Sequence, residues 1–274
     1  MSRPQLSRPA RESERRRPAI LVEGISKTFT LAGKPFTALE NISFEVDDGE
    51  FLSIIGPSGC GKSTLLRLIG DVIPSSGGAI SIHGGSTADA RRSRRLGFVF
   101  QDPVLLPWRT AIENVELPLV LAGVGSKERR GRARELLRLV GLAGFESARP
   151  SALSGGMARR VAIARALVLD PDILLLDEPF GALDEITRQR MNGELLRIWS
   201  ETGTTAVFVT HNVGEAAYLS DRVLVMGTRP GRIVAEVQID LPRPRTLELL
   251  EDQAFFRCTS RLSHHLLSSV EGEA

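Results

Sequence analysis

Cysteine is scarce in this chain. Its 274 residues hold two, Cys60 and Cys258, with neither the spacing of a disulfide framework nor that of a metal-ligand pair. A disulfide-stapled secreted domain is thereby excluded, and a reducing compartment is expected. No apolar run approaches the ~18 residues that a membrane-spanning helix needs, and the N-terminus has no apolar core of the signal-peptide kind. The expected location is cytosolic. A strong net charge is also missing. At +2, with a sequence pI near 8.8, the balance is too mild to argue for a nucleic-acid partner, and none is expected. No repeat or low-complexity tract appears. Lysine is rare, four against 31 arginines, so a lysine inside a glycine-rich loop stands out.

The 42% hydrophobic and 25% charged content fits one sizeable soluble domain with a small appended lobe. Arg3, Arg8, Arg11, Arg15, Arg16 and Arg17 crowd the start among prolines and serines, without apolar periodicity. Residues 1–18 therefore read as a disordered basic tail, with contact to anionic lipid or a partner as the alternative. Arg91, Arg92, Arg94 and Arg95 read as a charged loop entering the strand-like LGFVF. AILVEGISKTF and ALENISFEV look like paired strands around a loop at 32–36, and EFLSIIG is a buried strand running into glycines. KSTLLRLIGDV has helical spacing and stops before Pro74. Residues 127–140 carry an amphipathic helix with Leu136, Leu137 and Val140 on its apolar face. Further strands are expected at 173–177, 206–210, 222–226 and 233–237. Strands alternating with helices mean an α/β domain with a largely parallel sheet over 19–240, and a helix-rich lobe at about 105–165. Residues 241–274 are expected to add one or two short helices. The adjacent His264 and His265 fall on different parts of a helix surface and do not suggest a metal site.

GPSGCGKST, comprising Gly56, Pro57, Ser58, Gly59, Cys60, Gly61, Lys62, Ser63 and Thr64, fits G-x-x-x-x-G-K-[ST] between a strand and a helix. Its glycines let backbone N–H groups turn inward around phosphates. Lys62 supplies charge at the β and γ positions, and the Ser63 hydroxyl can ligate Mg²⁺. Backbone N–H groups and Lys62 should also favour a Cys60 thiolate, while Cys258 in the tail should react freely. ILLLDEP ends a buried strand on Asp177, which can hold Mg²⁺ through water, and Glu178, the candidate general base. His211 follows the apolar run AVFVT to the same sheet edge, near a γ-phosphate. Gln101, after GFVF, repeats that geometry and offers an oxygen to Mg²⁺ or water. Phe29 is placed either to stack on an adenine or to pack in the core. Ser154, Gly155 and Gly156 open a helix and form a second anion-binding arrangement.

Taken in order, Phe29, GPSGCGKST, Gln101, LSGGM, ILLLDEP, GALD and His211 resemble the aromatic loop, Walker A, glutamine loop, signature, Walker B, D-loop and switch histidine of ATP-binding cassette (ABC) ATPases. The resemblance spans about residues 20–240. VFQDPVLLPWRTAIENVELPL is similar to ATPase subunits of nitrate, sulfonate and taurine importers. The family resemblance implies a P-loop NTPase core with a mainly parallel sheet, an N-terminal antiparallel β subdomain and a helical signature lobe. It implies ATP and Mg²⁺ as ligands and a head-to-tail homodimer. In that dimer Ser154, Gly155 and Gly156 complete the partner's phosphate site in trans, and Asp184 links the two sites. It further implies an integral membrane permease as partner, an external solute-binding protein indirectly, and a peripheral position on the cytoplasmic face of the cell membrane.

Met157 departs from the glutamine usual at the end of the signature and cannot make an amide's hydrogen bonds. A cytosolic ABC ATPase of DNA repair or the ribosome is the alternative, but those carry coiled-coil insertions or two cassettes. A phosphate-loop kinase would not explain LSGGM or His211. Val104, Leu105, Leu106 and Trp108, broken by Pro103 and Pro107, cannot all join one regular helix. They pack either inside the lobe or, as the resemblance implies, form a groove for a permease helix.

Overall fold

A computed structural model describes residues 18–181, 183–228 and 230–271. The basic run at 3–17 lies outside the described residues.

The chain begins with an antiparallel ribbon. Strands β1 (Ile20–Leu31) and β2 (Lys34–Val46) pair from Ile20↔Val46 to Leu31↔Lys34. Their connection is tighter than the loop expected at 32–36. Ala32 and Gly33 both take positive φ, 49° and 78°, as a two-residue turn matched to strand twist requires. Strands β4 (Gly77–Ile82) and β5 (Gly85–Ser86) extend the ribbon into a four-stranded sheet of order β2-β1-β4-β5. That glycine- and serine-rich pair carried no clear strand pattern in the sequence.

The second sheet is built from β3 (Phe51–Ile55), β6 (Leu96–Val99), β7 (Ile173–Asp177), β8 (Thr205–Val209), β9 (Arg222–Gly227) and β10 (Arg232–Gln238). Its order is β10-β9-β3-β8-β7-β6, parallel except for the hairpin-joined edge strand β10. The apolar runs of β3, β7 and β8 are buried at every position because both faces are covered. Alternation then sorts the side chains. Phe51, Ile55, Leu174, Leu176, Ala206 and Phe208 enter one core, and Leu52, Ile54, Ile173, Leu175, Val207 and Val209 enter the other.

The second core is roofed by helix α1 (Lys62–Ile69) through Leu65 and Leu66, and by the antiparallel ribbon. A short helix α2 (Thr87–Arg92) leads into β6. The first core receives α3 (Ala111–Leu121), α4 (Ser126–Leu139) and α5 (Gly155–Leu167), which pack on one another. On α4, Ala133, Leu136 and Leu137 are buried, as the amphipathic spacing requires. The same core receives α6 (Glu185–Thr202) and α7 (Val213–Leu219).

After β10 the chain forms a single 3₁₀ turn at Leu247–Glu251 and then a 19-residue helix, α8 (Gln253–Glu271). The expectation of short helices is corrected here. Ala254 N–H donates to Asp252 Oδ1 at 2.6 Å, and no proline or glycine interrupts the helix that follows. Helix α8 packs on α7, β9 and β10, so Phe255, Cys258 and Leu262 are buried. Cys258 is therefore inaccessible, and burial raises its thiol above the ordinary range. Among the described residues no helix is long and apolar enough to cross a membrane.

Candidate functional site

Parallel strands deliver their following residues to one edge of a sheet, and here four neighbours do so in the order β3-β8-β7-β6. The glycine loop follows β3, Thr210 and His211 follow β8, Asp177 and Glu178 end β7, and Gln101 follows β6.

The loop needs its glycines for space and for backbone conformation. A Cβ on Gly56 would lie 2.7 Å from both Cys60 Sγ and the Met226 carbonyl. Gly61 takes φ 101° and caps α1, and a Cβ there would meet Leu39 of β2 at 2.5 Å. No acidic residue lies in the first turn of α1, and no side chain caps its N-terminus. Its N–H groups and positive dipole end are thus suited to an anion. Lys62 is buried, and its Nζ donates to the Gly56 and Pro57 carbonyls at 2.8 and 3.0 Å, which folds the ammonium over the loop.

Ser63 Oγ donates to Asp177 Oδ1 at 2.7 Å. Asp177 is buried, and desolvation pushes its carboxyl above the ordinary range against the opposing pull of Ser63 and Arg67. A hydroxyl and a carboxylate converging in this way are hard oxygen donors of the kind that suit Mg²⁺. One residue on, Glu178 has φ 41°, an uncommon conformation for a side chain with a Cβ. Its N–H donates to the Val209 carbonyl at 2.9 Å, which fixes the turn. His211 Nδ1 lies 3.1 Å from Glu178 Oε2. A carboxylate only accepts, so Nδ1 carries the hydrogen in this contact.

The structure thus gathers Gly56–Thr64, Asp177, Glu178 and His211. Gln101 reaches the same edge with an exposed side chain. Phe29 is half-buried on the ribbon, paired with Phe36, with Lys27 Nζ 4.9 Å from its ring centroid. Ser154 caps α5, accepting from Met157 N–H at 3.3 Å, and is exposed together with Gly155. A Cβ on Gly155 would meet nothing within 4 Å, and one on Gly156 only Thr187 at 3.6 Å. This second anion-suited helix start therefore faces open surface. Asp184 caps α6, accepting from Thr187 N–H at 3.0 Å, and those bonds hold its carboxyl below the usual range.

The expected Cys60 thiolate is overturned. Cys60 is buried against Gly56, and desolvation, the largest influence, raises its thiol despite Lys62 and the backbone N–H groups. Alkylation of the native protein at neutral pH is therefore expected to be at least ~10-fold slower than in denaturant at both cysteines. Mass spectrometry of the labelled peptides measures it; rapid native labelling of Cys60 would contradict this burial.

Two contacts beside the site had no motif to announce them. Arg165 of α5 donates to the Pro103 and Val104 carbonyls at 2.7 and 2.8 Å, and Arg159 donates to Pro179. Helix α5 is thus tied both to the stretch after Gln101 and to the turn after Glu178.

Comparison with known proteins decides the family. A family model described as ABC transporter matches residues 39–181. The chain belongs to the ABC transporter family. It is 47% identical over 244 residues to the ABC transporter ATP-binding protein MJ0412 of Methanocaldococcus jannaschii, covering 88% of this chain and 91% of that one. The taurine import ATP-binding protein TauB of Rhizobium johnstonii is 49% identical over 211 residues, 77% of this chain and 80% of its own. The aliphatic sulfonates import ATP-binding protein SsuB of Bacillus cereus (strain ATCC 10987 / NRS 248) is 44% identical, covering 83% and 88%. Among solved structures, the ATP-binding cassette MJ0796, a dimer in a post-hydrolysis state bound to ADP and Pi, superposes with a TM-score of 0.73. It is 36% identical, and the match covers 81% of this chain and 100% of that one. The ABC ATPase fold and the ATP-hydrolase class expected from the motif order are borne out.

Proposed function

We propose that this ABC ATPase is the energy-supplying subunit of a membrane importer for nitrate, sulfonate, taurine or a similar small solute. It works as a homodimer on the cytoplasmic face of the membrane. The observation that carries the catalytic part is the contact of Glu178 with His211 beside the Ser63–Asp177 pair, at the mouth of the phosphate loop. ATP lies along Gly56–Thr64, with Lys62 at the β- and γ-phosphates and Phe29 toward the base. Ser63 and Asp177, with Gln101, would hold Mg²⁺, which would supply charge neutralisation at the transferring phosphoryl group. Glu178 takes the proton of the attacking water, and His211 orients Glu178 and the γ-phosphate. The open helix start at Ser154–Gly156 completes the partner's site, with Asp184 between the two. The importer role is supported by the similarity to the taurine import ATP-binding protein TauB and the aliphatic sulfonates import ATP-binding protein SsuB. It requires permease subunits and, outside the membrane, a solute-binding protein.

The stretch after Gln101 supplies the docking surface in this reading. Leu105 packs against the core, whereas Val104 is 60% exposed and Trp108 69% exposed. Packing of the whole group inside the lobe is thereby overturned. Asn114, wholly buried, accepts from Leu106 N–H at 2.7 Å and shares its two amide hydrogens among the Leu106, Arg109 and Thr110 carbonyls, tying the segment to α3. A large exposed tryptophan on a tethered loop is a fitting interface anchor. Trp108→Ala is expected to change stability by no more than about 0.5 kcal/mol and to keep basal ATP hydrolysis. It should nevertheless lose co-purification with the permease from membranes and support little solute uptake. Normal uptake by a stable Trp108→Ala protein would exclude the docking role.

A further inference from the structure

An ion pair between a buried carboxylate and a half-buried arginine joins the switch histidine to the segment that begins α6, and the proposed chemistry does not use it. Glu215 lies in the first turn of α7, four residues after His211, with its side chain 4% exposed. Its Oε2 accepts from the Thr210 hydroxyl. The same Thr210 Oγ1 accepts from Asn212 N–H at 3.0 Å, so residues on both sides of His211 are tied to this carboxylate. Glu215 Oε1 makes no hydrogen bond and faces Arg188 Nε at 3.8 Å. Arg188 belongs to α6, one turn beyond Asp184. It donates to the Leu183 carbonyl at 3.4 Å and to Glu185.

Burial is costly for this carboxylate, whose acid form is favoured by desolvation, and an apolar side chain would fill the same space without that cost. The pair is also not locked. A cavity of about 180 Å³ adjoins it, lined by Arg188, Asn192, Glu215, Tyr218, Leu250 and Phe255. Asn192 Oδ1 is a second buried acceptor without a partner. Movement of Thr210 and His211 therefore has a route, through the 3.8 Å ion pair of Glu215 and Arg188, to the Leu183 and Asp184 carbonyls, with room for Arg188 to change partners.

We infer that Glu215 and Arg188 are positioning residues that couple the His211 switch of one ATP site to Asp184, and through it to the site completed by the second copy of the chain. The inference rests on the composite-site ATPase proposed above.

The test compares kcat, KM for ATP and melting temperature in the full-length protein for Glu215→Gln, Arg188→Gln and the double variant. Glu215→Gln keeps the volume and the acceptor for Thr210 but removes the charge facing Arg188. Each single variant is expected to lower kcat about tenfold with KM within about twofold, and the double variant to fall no further than either single. Arg188→Lys, which restores the charge, should recover part of the lost kcat. Should Glu215→Gln not fold, the comparison of Arg188→Gln with Arg188→Lys at a partly exposed position decides the same question. Wild-type kcat in the singles, losses that multiply in the double, or a fall in kcat matched by KM and melting temperature would each overturn the coupling. Failure of the wild-type chain to hydrolyse ATP would count against the proposed function itself and take the coupling with it.

Discussion

Glu178→Gln is expected to lower ATP turnover by ~10²- to 10⁴-fold while leaving ATP binding nearly unchanged. The argument begins with the backbone. Positive φ at Glu178 and the bond from its N–H to Val209 turn the chain sharply after β7, so the carboxylate sits beside His211 and not along the strand. Glutamine has the same shape and its oxygen still accepts from His211 Nδ1. What it lacks is basicity, so a water placed between the side chain and the γ-phosphate loses its proton acceptor. ATP then stays bound and uncleaved, and a dimer held together by ATP should accumulate. Phosphate release in a single turnover and gel filtration with Mg²⁺ and ATP measure both consequences. Near-normal hydrolysis by the variant would remove Glu178 from the role of base.

The phosphate loop and the strand ends were legible because their chemistry is local. A glycine that must turn, a lysine that must reach and an acid at a buried strand end leave marks within a few residues. Cys60 was misjudged for the opposite reason. Its neighbours in sequence, Lys62 and the loop N–H groups, favour a thiolate, but the packing of Met226 and Gly231 onto the loop comes from β9 and the turn after it. Burial from that distant segment outweighs the local charges. Arg188 and Glu215 show the same limit. They lie 27 residues apart on different helices, and only the packing of α6 beside α7 puts one in front of the other. Residues 241–274 read as one or two short helices, but the helix that opens after Asp252 runs without a break from Gln253 to Glu271. That continuity follows from its buried face, Phe255, Cys258 and Leu262, which is set by packing on α7, β9 and β10, outside that segment.

Ser154→Arg should abolish hydrolysis, by at least ~10²-fold, in a chain whose own phosphate loop is untouched. Ser154 is exposed at the start of α5, so the longer side chain is accommodated in the single chain. Loss of its cap to Met157 costs about 1 kcal/mol, too little to unfold a domain with two cores of this size. Ser154→Ala carries the same capping loss without the bulk and serves as the control for folding stability. In a two-fold dimer, however, the arginine would stand where the partner's γ-phosphate approaches. ATP should therefore still bind at Lys62 while closure fails. Mixing with Lys62→Ala makes the argument quantitative. In a heterodimer of the two variants, one site pairs the intact loop with the intact Ser154, and the other has lost both. With random pairing about half the dimers are mixed and half their sites are whole, so up to about a quarter of wild-type turnover should return from two nearly inactive proteins. Full activity of Ser154→Arg alone would end the composite-site reading, because a residue that serves only its own chain's fold has no means of silencing its partner.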